Sequence, residues 1–310
     1  MKQSKATVAV VTDSNSGITR EDAERLGIYV IPMPFMIEGE TYFEGLTLTP
    51  EAFYKRLSDN SDISTSQPSP ADVMAMWDKI LEDYDEIIHI PMSSGLSSAA
   101  HTAIMLAEDY KGKVFVVDNQ RISVTQLQSV VHAQDLAEQG KKGAEILEIL
   151  MKEKLEASIY ITLDTLKFLR KGGRLTPAVA AIGTILRIKP VLQIQGEKLD
   201  RYTQARTMTQ AKALMIAALK KDIEKRFGGD SSPENVVILV AYTNNKDAAL
   251  EFQKEMEDAF PDHKGKIFSA PLSLSVACHT GPGALGCAIV SRNDAVWDGS
   301  AITEAAVIRE

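Results

Sequence analysis

The chain has 310 residues, 45% hydrophobic and 25% charged, with a formal net charge of -8 at pH 7. That length favours two cores over one, and the composition lets a chain bury them without metal or disulfide staples. The excess of carboxylates repels phosphate backbones and anionic lipid surfaces at long range, so nucleic acid is not an expected partner.

The N-terminus, Met1-Lys2-Gln3-Ser4-Lys5, leads straight into a short apolar run without the apolar h-region of a signal peptide. No stretch approaches the roughly 18 apolar residues that span a bilayer. Cys278 and Cys287 stand nine residues apart in no CxxC pattern, which fits buried thiols in a reducing compartment. A cytoplasmic protein is the expectation.

Short β-branched runs alternate with longer amphipathic segments. Strands are expected at Ala6–Thr12, Glu86–Ile90, Val114–Asp118, Ser158–Leu163, Pro190–Gln195, Val236–Tyr242, Lys266–Ala270 and Cys287–Ser291. Continuous apolar runs between helices suit strands buried on both faces, as in a parallel sheet. Helix starts are marked by hydroxyl caps: Thr19 before Arg20-Glu21-Asp22, Thr49 before Pro50-Glu51, and Ser69 before Pro70-Ala71-Asp72. Further helices are expected at Ser97–Asp109, Thr125–Gln139, Ala144–Leu155, Thr207–Lys225 and Lys246–Ala259. Tyr29–Thr41 reads as two extended pieces meeting at a hairpin turn near Glu38-Gly39-Glu40. The expected fold class is α/β in two domains, 1–160 and 161–310. One is Rossmann-like with a parallel sheet and the other has a mixed sheet, with a ligand in the cleft between them.

Loops that follow strands carry ligands in open α/β sheets. Here they include Thr12-Asp13-Ser14-Asn15-Ser16 and Ser93-Ser94-Gly95-Leu96-Ser97-Ser98. The second combines hydroxyls and backbone N–H groups at a positive helix end, a pattern suited to an anion. In Ser64-Thr65-Ser66-Gln67-Pro68-Ser69, Ser69 is committed as a cap while Thr65 and Ser66 are free to bind. Lys171-Gly172-Gly173-Arg174 reads as a basic helix C-cap. His279-Thr280-Gly281-Pro282-Gly283-Ala284-Leu285-Gly286 implies backbone held close to something.

The sequence has no GxGxxG after a strand, no GxxxxGK[ST], no GxSxG and no HExxH. Its five histidines show no metal spacing and its carboxylates form no recognisable acid–base pair. Neither a catalytic residue, a metal nor a cofactor is expected.

Taken in order, Val11-Thr12-Asp13-Ser14, Thr65-Ser66-Gln67-Pro68-Ser69, Ser93-Ser94-Gly95-Leu96-Ser97, Lys171-Gly172-Gly173-Arg174, Lys189-Pro190, Arg206-Thr207 and the His279–Gly286 run resemble the DegV family of bacterial fatty-acid-binding proteins. The resemblance implies a long-chain fatty acid between two α/β domains, its carboxylate held by loop hydroxyls and its tail in an apolar tunnel. It further implies a non-catalytic, acyl-carrying subunit of a fatty acid kinase. A separate ATP-binding partner would phosphorylate the carboxylate, and membrane contact would be transient, for lipid exchange.

Carried over by position, Thr65 and Ser94 are the carboxylate ligands, followed by Ser93 in the loop that holds Gly95. His279, with Thr280 beside it, lies near the head group. Arg174 and Arg206 face the kinase or the emerging acyl phosphate. Three positions depart from the family pattern: Ser98-Ala99 replaces Gly-Thr, Glu44 replaces Asp, and Gln204 replaces a lysine. The competing reading is a dihydroxyacetone-kinase-like substrate subunit in which His279 captures a ketone. A small phosphate ligand in the same loops is a third.

Overall fold

The computed structural model describes residues 7–59, 61–174, 176–180 and 188–292; the N-terminal pentapeptide and the far end of the second expected domain lie outside them. The first part of the chain runs β1 (Val8–Asp13), α1 (Arg20–Leu26), β2 (Tyr29–Ile31), β3 (Pro34–Ile37), β4 (Glu40–Phe43) and α2 (Pro50–Ser58). It continues through β5 (Ile63–Thr65), α3 (Pro70–Ile80), β6 (Glu86–Ile90), α4 (Ala99–Ala107), β7 (Val114–Val116), α5 (Ser123–Glu138) and α6 (Gly143–Lys152). Then follow β8 (Ala157–Thr162), α7 (Lys167–Lys171), α8 (Pro177–Ala180), β9 (Lys189–Ile194), β10 (Leu199–Ala205) and α9 (Met208–Arg226). The last elements are β11 (Val236–Tyr242), α10 (Lys246–Ala259), β12 (Phe268–Pro271), α11 (Leu274–Thr280) and β13 (Leu285–Ser291).

Three sheets result. A four-stranded sheet, ordered β2-β1-β6-β7, is parallel throughout. A six-stranded sheet, ordered β10-β9-β8-β13-β11-β12, is antiparallel except at its β11–β12 edge. A small antiparallel sheet, β4-β3-β5, stands apart. The fold is thus α/β with one parallel and one mixed sheet. The change from the first sheet to the second falls between Val116 and Ala157, so a boundary after residue 160 cuts into β8.

The layers follow from the apolar patterning. Helices α3 and α4 cover one face of the parallel sheet. Helix α5 lies between the two large sheets and packs on β1, β8, β11 and β13. It is buried almost all round at its N-terminal half, as a helix between two sheets must be. Helices α9 and α10 cover the far face of the mixed sheet. One continuous apolar cluster joins both sheets through α5.

The three hydroxyl caps form as read. Thr19 accepts from Asp22 N–H at 3.1 Å, Thr49 from Ala52 at 3.4 Å and Ser69 from Asp72 at 3.1 Å. The turn at Glu38-Gly39 has φ 51° and 83° and joins Ile37 directly to its partner Glu40. Two residues with φ > 0 match the twist of a tight hairpin.

Four expectations need correction. Tyr29–Ile31 is not a hairpin arm: it pairs parallel with β1. The Ser64-Thr65-Ser66 run, placed among the loops, begins in a strand: Thr65 ends β5 and pairs with Phe35. His279 and Thr280 form the last turn of α11, not part of a glycine loop. Finally, the buried runs of β8 and β11 each pair antiparallel with that of β13. With α5 on one face and α9 and α10 on the other, those strands carry apolar side chains both ways and read like parallel ones.

Candidate functional site

Between α5 and the mixed sheet lies an apolar cavity of about 940 Å³, counting its open end. Ile159, Ile161, Ile194, Leu199 and Ala288 of the mixed sheet form one wall. Ile122, Ser123 and Val124 at the start of α5, with Met33, Met92 and Leu96, form the other. The lining turns polar where it becomes exposed, at Thr65, Ser66, Ser97, Arg174 and His279. An apolar body with a few convergent polar groups is the usual form of a small-molecule site.

At the polar end, Thr65 Oγ1 lies 2.9 Å from His279 Nε2. The pair joins the end of β5 to the end of α11, two elements far apart in sequence. Small residues make the close approach possible. A Cβ on Gly172 would sit 2.0 Å from His279 Nδ1, and one on Gly281 would sit 2.3 Å from the Phe168 ring. The glycines of both motifs therefore seat His279 against the α7 turn.

Burial, assisted by the neighbouring Arg174 charge, lowers the His279 pKa to about 4, so the ring is neutral near pH 7. Its Nδ1 is buried without a hydrogen-bond partner. In the Nε2–H tautomer the ring donates to Thr65, which leaves the threonine O–H free to donate into the cavity. With one ring nitrogen against Gly172 and the other bonded to Thr65, neither is open to attack a ketone.

Of the residues expected from sequence, Thr65, Arg174, His279 and Thr280 line the cavity together. Arg174 bonds the Leu96 and Gly172 carbonyls at 3.4 and 2.6 Å and supplies the one cation among the described lining residues. Ser93, Ser94, Gly95 and Arg206 do not line it. Ser93 is fully buried, its hydroxyl donating to the Glu197 carbonyl at 2.8 Å and accepting from Gly95 N–H at 3.3 Å. Gly95 is pressed so close to Glu197 that a Cβ would sit 2.2 Å from its carbonyl oxygen. Ser94 donates its N–H to Asp118 at 3.2 Å. These three residues tie the loop to the β9–β10 turn and to Asp118, and Ser97 is the hydroxyl of that loop at the cavity. Arg206 is exposed ahead of α9, where its N–H donates to Gln210 at 2.8 Å.

Several lining residues escaped the sequence reading. Asn15 had a signal, in the hydroxyl-rich loop after β1. Ser97 had one in the Ser93–Ser98 run. Ser123, Ser275 and the methionines had none, since nothing local distinguishes a serine that lines a cavity from one that starts a helix. Among the described residues no cluster of His, Cys, Asp or Glu could hold a metal ion, and both cysteines are buried and free.

Fold and site define an α/β protein with a parallel and a mixed sheet and, between α5 and the mixed sheet, an apolar cavity with a hydroxyl- and arginine-bearing mouth. The chain belongs to the DegV family, a family of uncharacterised proteins whose sequence pattern it matches over residues 7–292. A DegV domain-containing protein of Staphylococcus aureus strain MRSA252 is 30% identical over 284 residues, covering 91% of this chain and 98% of that one. A fatty-acid-binding DegV family protein from Thermus thermophilus shares the fold with a TM-score of 0.83 and 27% identity, over 92% of this chain and 100% of the other. DegV of Bacillus subtilis, a fatty acid binding protein, gives 0.80 and 26%, over 93% and 100%.

Proposed function

We propose that this chain binds one long-chain fatty acid, with its carboxylate at the Thr65–His279 mouth and its tail between α5 and the mixed sheet. The observation that carries this reading is the apolar cavity ending in a donor pair. The fatty-acid-binding relatives of the same fold support it. Burying about fifteen methylenes contributes roughly 12 kcal/mol gross, at about 0.8 each. A hydrogen bond to a charged group adds roughly 1.5–3 kcal/mol. The tail supplies most of the affinity, and the hydroxyls set which end faces out.

In the same proposal the chain performs no chemistry. It presents the carboxylate to a separate ATP-dependent kinase, which moves the γ-phosphoryl group of ATP onto a carboxylate oxygen and releases ADP and acyl phosphate. Two features support this reading. Arg174 stands exposed at the mouth, where it can face both carboxylate and partner. Arg206 is exposed and outside the lipid site. With a fatty acid kinase, Arg206→Ala should reduce acyl-phosphate formation about tenfold or more while fatty-acid affinity stays unchanged. Loss of lipid binding in that variant would show that Arg206 serves the cavity instead.

A further inference from the structure

Ser123 lines the cavity and is only 4% exposed. Its φ of 55° lies in the left-handed region, which L side chains rarely adopt. Its hydroxyl has no hydrogen-bond partner among the described residues, although buried polar groups are nearly always paired.

Asn15, 1% exposed, lines the same cavity. Its Oδ1 accepts from Ser273 at 2.8 Å and from Ser275. Two donors on that oxygen fix which way the amide points. The Nδ2 meets the Met92 thioether at 2.8 Å, and the amide also bonds the Asp13 carboxylate. The turn that carries Asn15 packs against α5, which begins at Ser123. Ser275 sits one helical turn before His279 on α11, a rise of roughly 6 Å. A place for hydrogen bonding to a ligand is therefore built into an otherwise apolar wall, about a turn of helix from the mouth.

A plain hydrocarbon tail would bury the Ser123 hydroxyl against methylenes, which is unfavourable. We propose that the ligand this cavity selects is a hydroxy fatty acid whose chain oxygen lies within the first several carbons of the carboxylate. Its oxygen exchanges a hydrogen bond with the Ser123 hydroxyl. This deepens the fatty-acid reading and rests on it.

The test titrates the full chain with hexadecanoic acid, with its analogue hydroxylated near the carboxylate, and with its analogue hydroxylated at the methyl end. The near-carboxylate hydroxy acid should bind roughly tenfold more tightly than hexadecanoic acid, and the methyl-end analogue should show no such gain. The preference should vanish in Ser123→Ala and in Ser123→Gly, the second of which suits the positive φ and guards against misfolding. Equal affinities in the wild type, as when a bound water satisfies the Ser123 hydroxyl, would overturn the inference and leave the fatty-acid reading intact. So would a preference that survives both substitutions. Failure of all three lipids to bind would overturn both.

Discussion

His279 is neutral, wedged against Gly172 and bonded to Thr65. Its role in the proposed site is to aim a threonine O–H rather than to supply charge. Thr65→Val keeps the shape and removes the donor, and it should weaken fatty-acid binding by about tenfold or more, or roughly 1.5–3 kcal/mol. The melting temperature should hardly move, because Thr65 is only half buried at a strand end. Unchanged affinity in a titration would take Thr65 out of the site. Gly172 gives an independent check, because its φ of -78° suits any residue and the effect of Gly172→Ala is therefore purely steric. The new methyl group must displace the His279 ring, costing about 1–3 kcal/mol of stability and lowering affinity as well. A thermal melt and a binding curve that both match wild type would show that the seat is not needed.

Element α11 carries Ser275, Val276, His279 and Thr280 into the cavity, and Glu44 anchors its start. The Glu44 carboxylate accepts the Leu274 N–H at 2.9 Å. Burial pushes its pKa up from 4.5 to about 7. A carboxyl raised in the folded state contributes stability that is present below its unfolded pKa and is lost as pH rises through the folded value. Asp13, raised to about 6, acts in the same direction. His89 and His279, lowered to about 3 and about 4, act oppositely below their ordinary pKa of 6.5. The difference between wild type and Glu44→Gln isolates the one group. The glutamine variant should gain stability relative to wild type between pH 5 and pH 8, as read by urea unfolding at both. A constant difference would mean that Glu44 is already ionised in the fold at pH 5.

The same element shows what the residues alone could not say. A helix of seven residues, Leu274–Thr280, ending in Gly-Pro-Gly has too little periodicity to separate it from a loop. The strand Ile63–Thr65 is three residues long with one buried apolar side chain, and its pairing with Phe35 is set by the hairpin, not by its own composition. Where the signal is long or chemically specific, it is enough. Glu86–Ile90, Val236–Tyr242 and Lys246–Ala259 were bounded to the residue, and so were the hydroxyl caps with proline behind them.

At the scale of the molecule, the cavity lies between a helix and a sheet that meet only through tertiary packing. Thr65, Arg174 and His279 were legible because each sits in a motif with glycine, proline or several hydroxyls around it. The cavity walls were not. Ile159, Ile161 and Ile194 look like any core residues, and only the gap that α5 leaves against them makes them lining. Ser93 and Gly95 are the converse case: a loop rich in donors proves to spend them on Glu197. Sequence can show which groups are able to bind, whereas packing decides which are left free to do so.

The central claim is that this cavity holds one fatty acid, and the direct test is native mass spectrometry of the purified chain followed by organic extraction of what it carries. The account predicts a long-chain acyl ligand in near one-to-one ratio, released on unfolding and diminished in Thr65→Val. A chain that emerges empty and takes up no added fatty acid would contradict it.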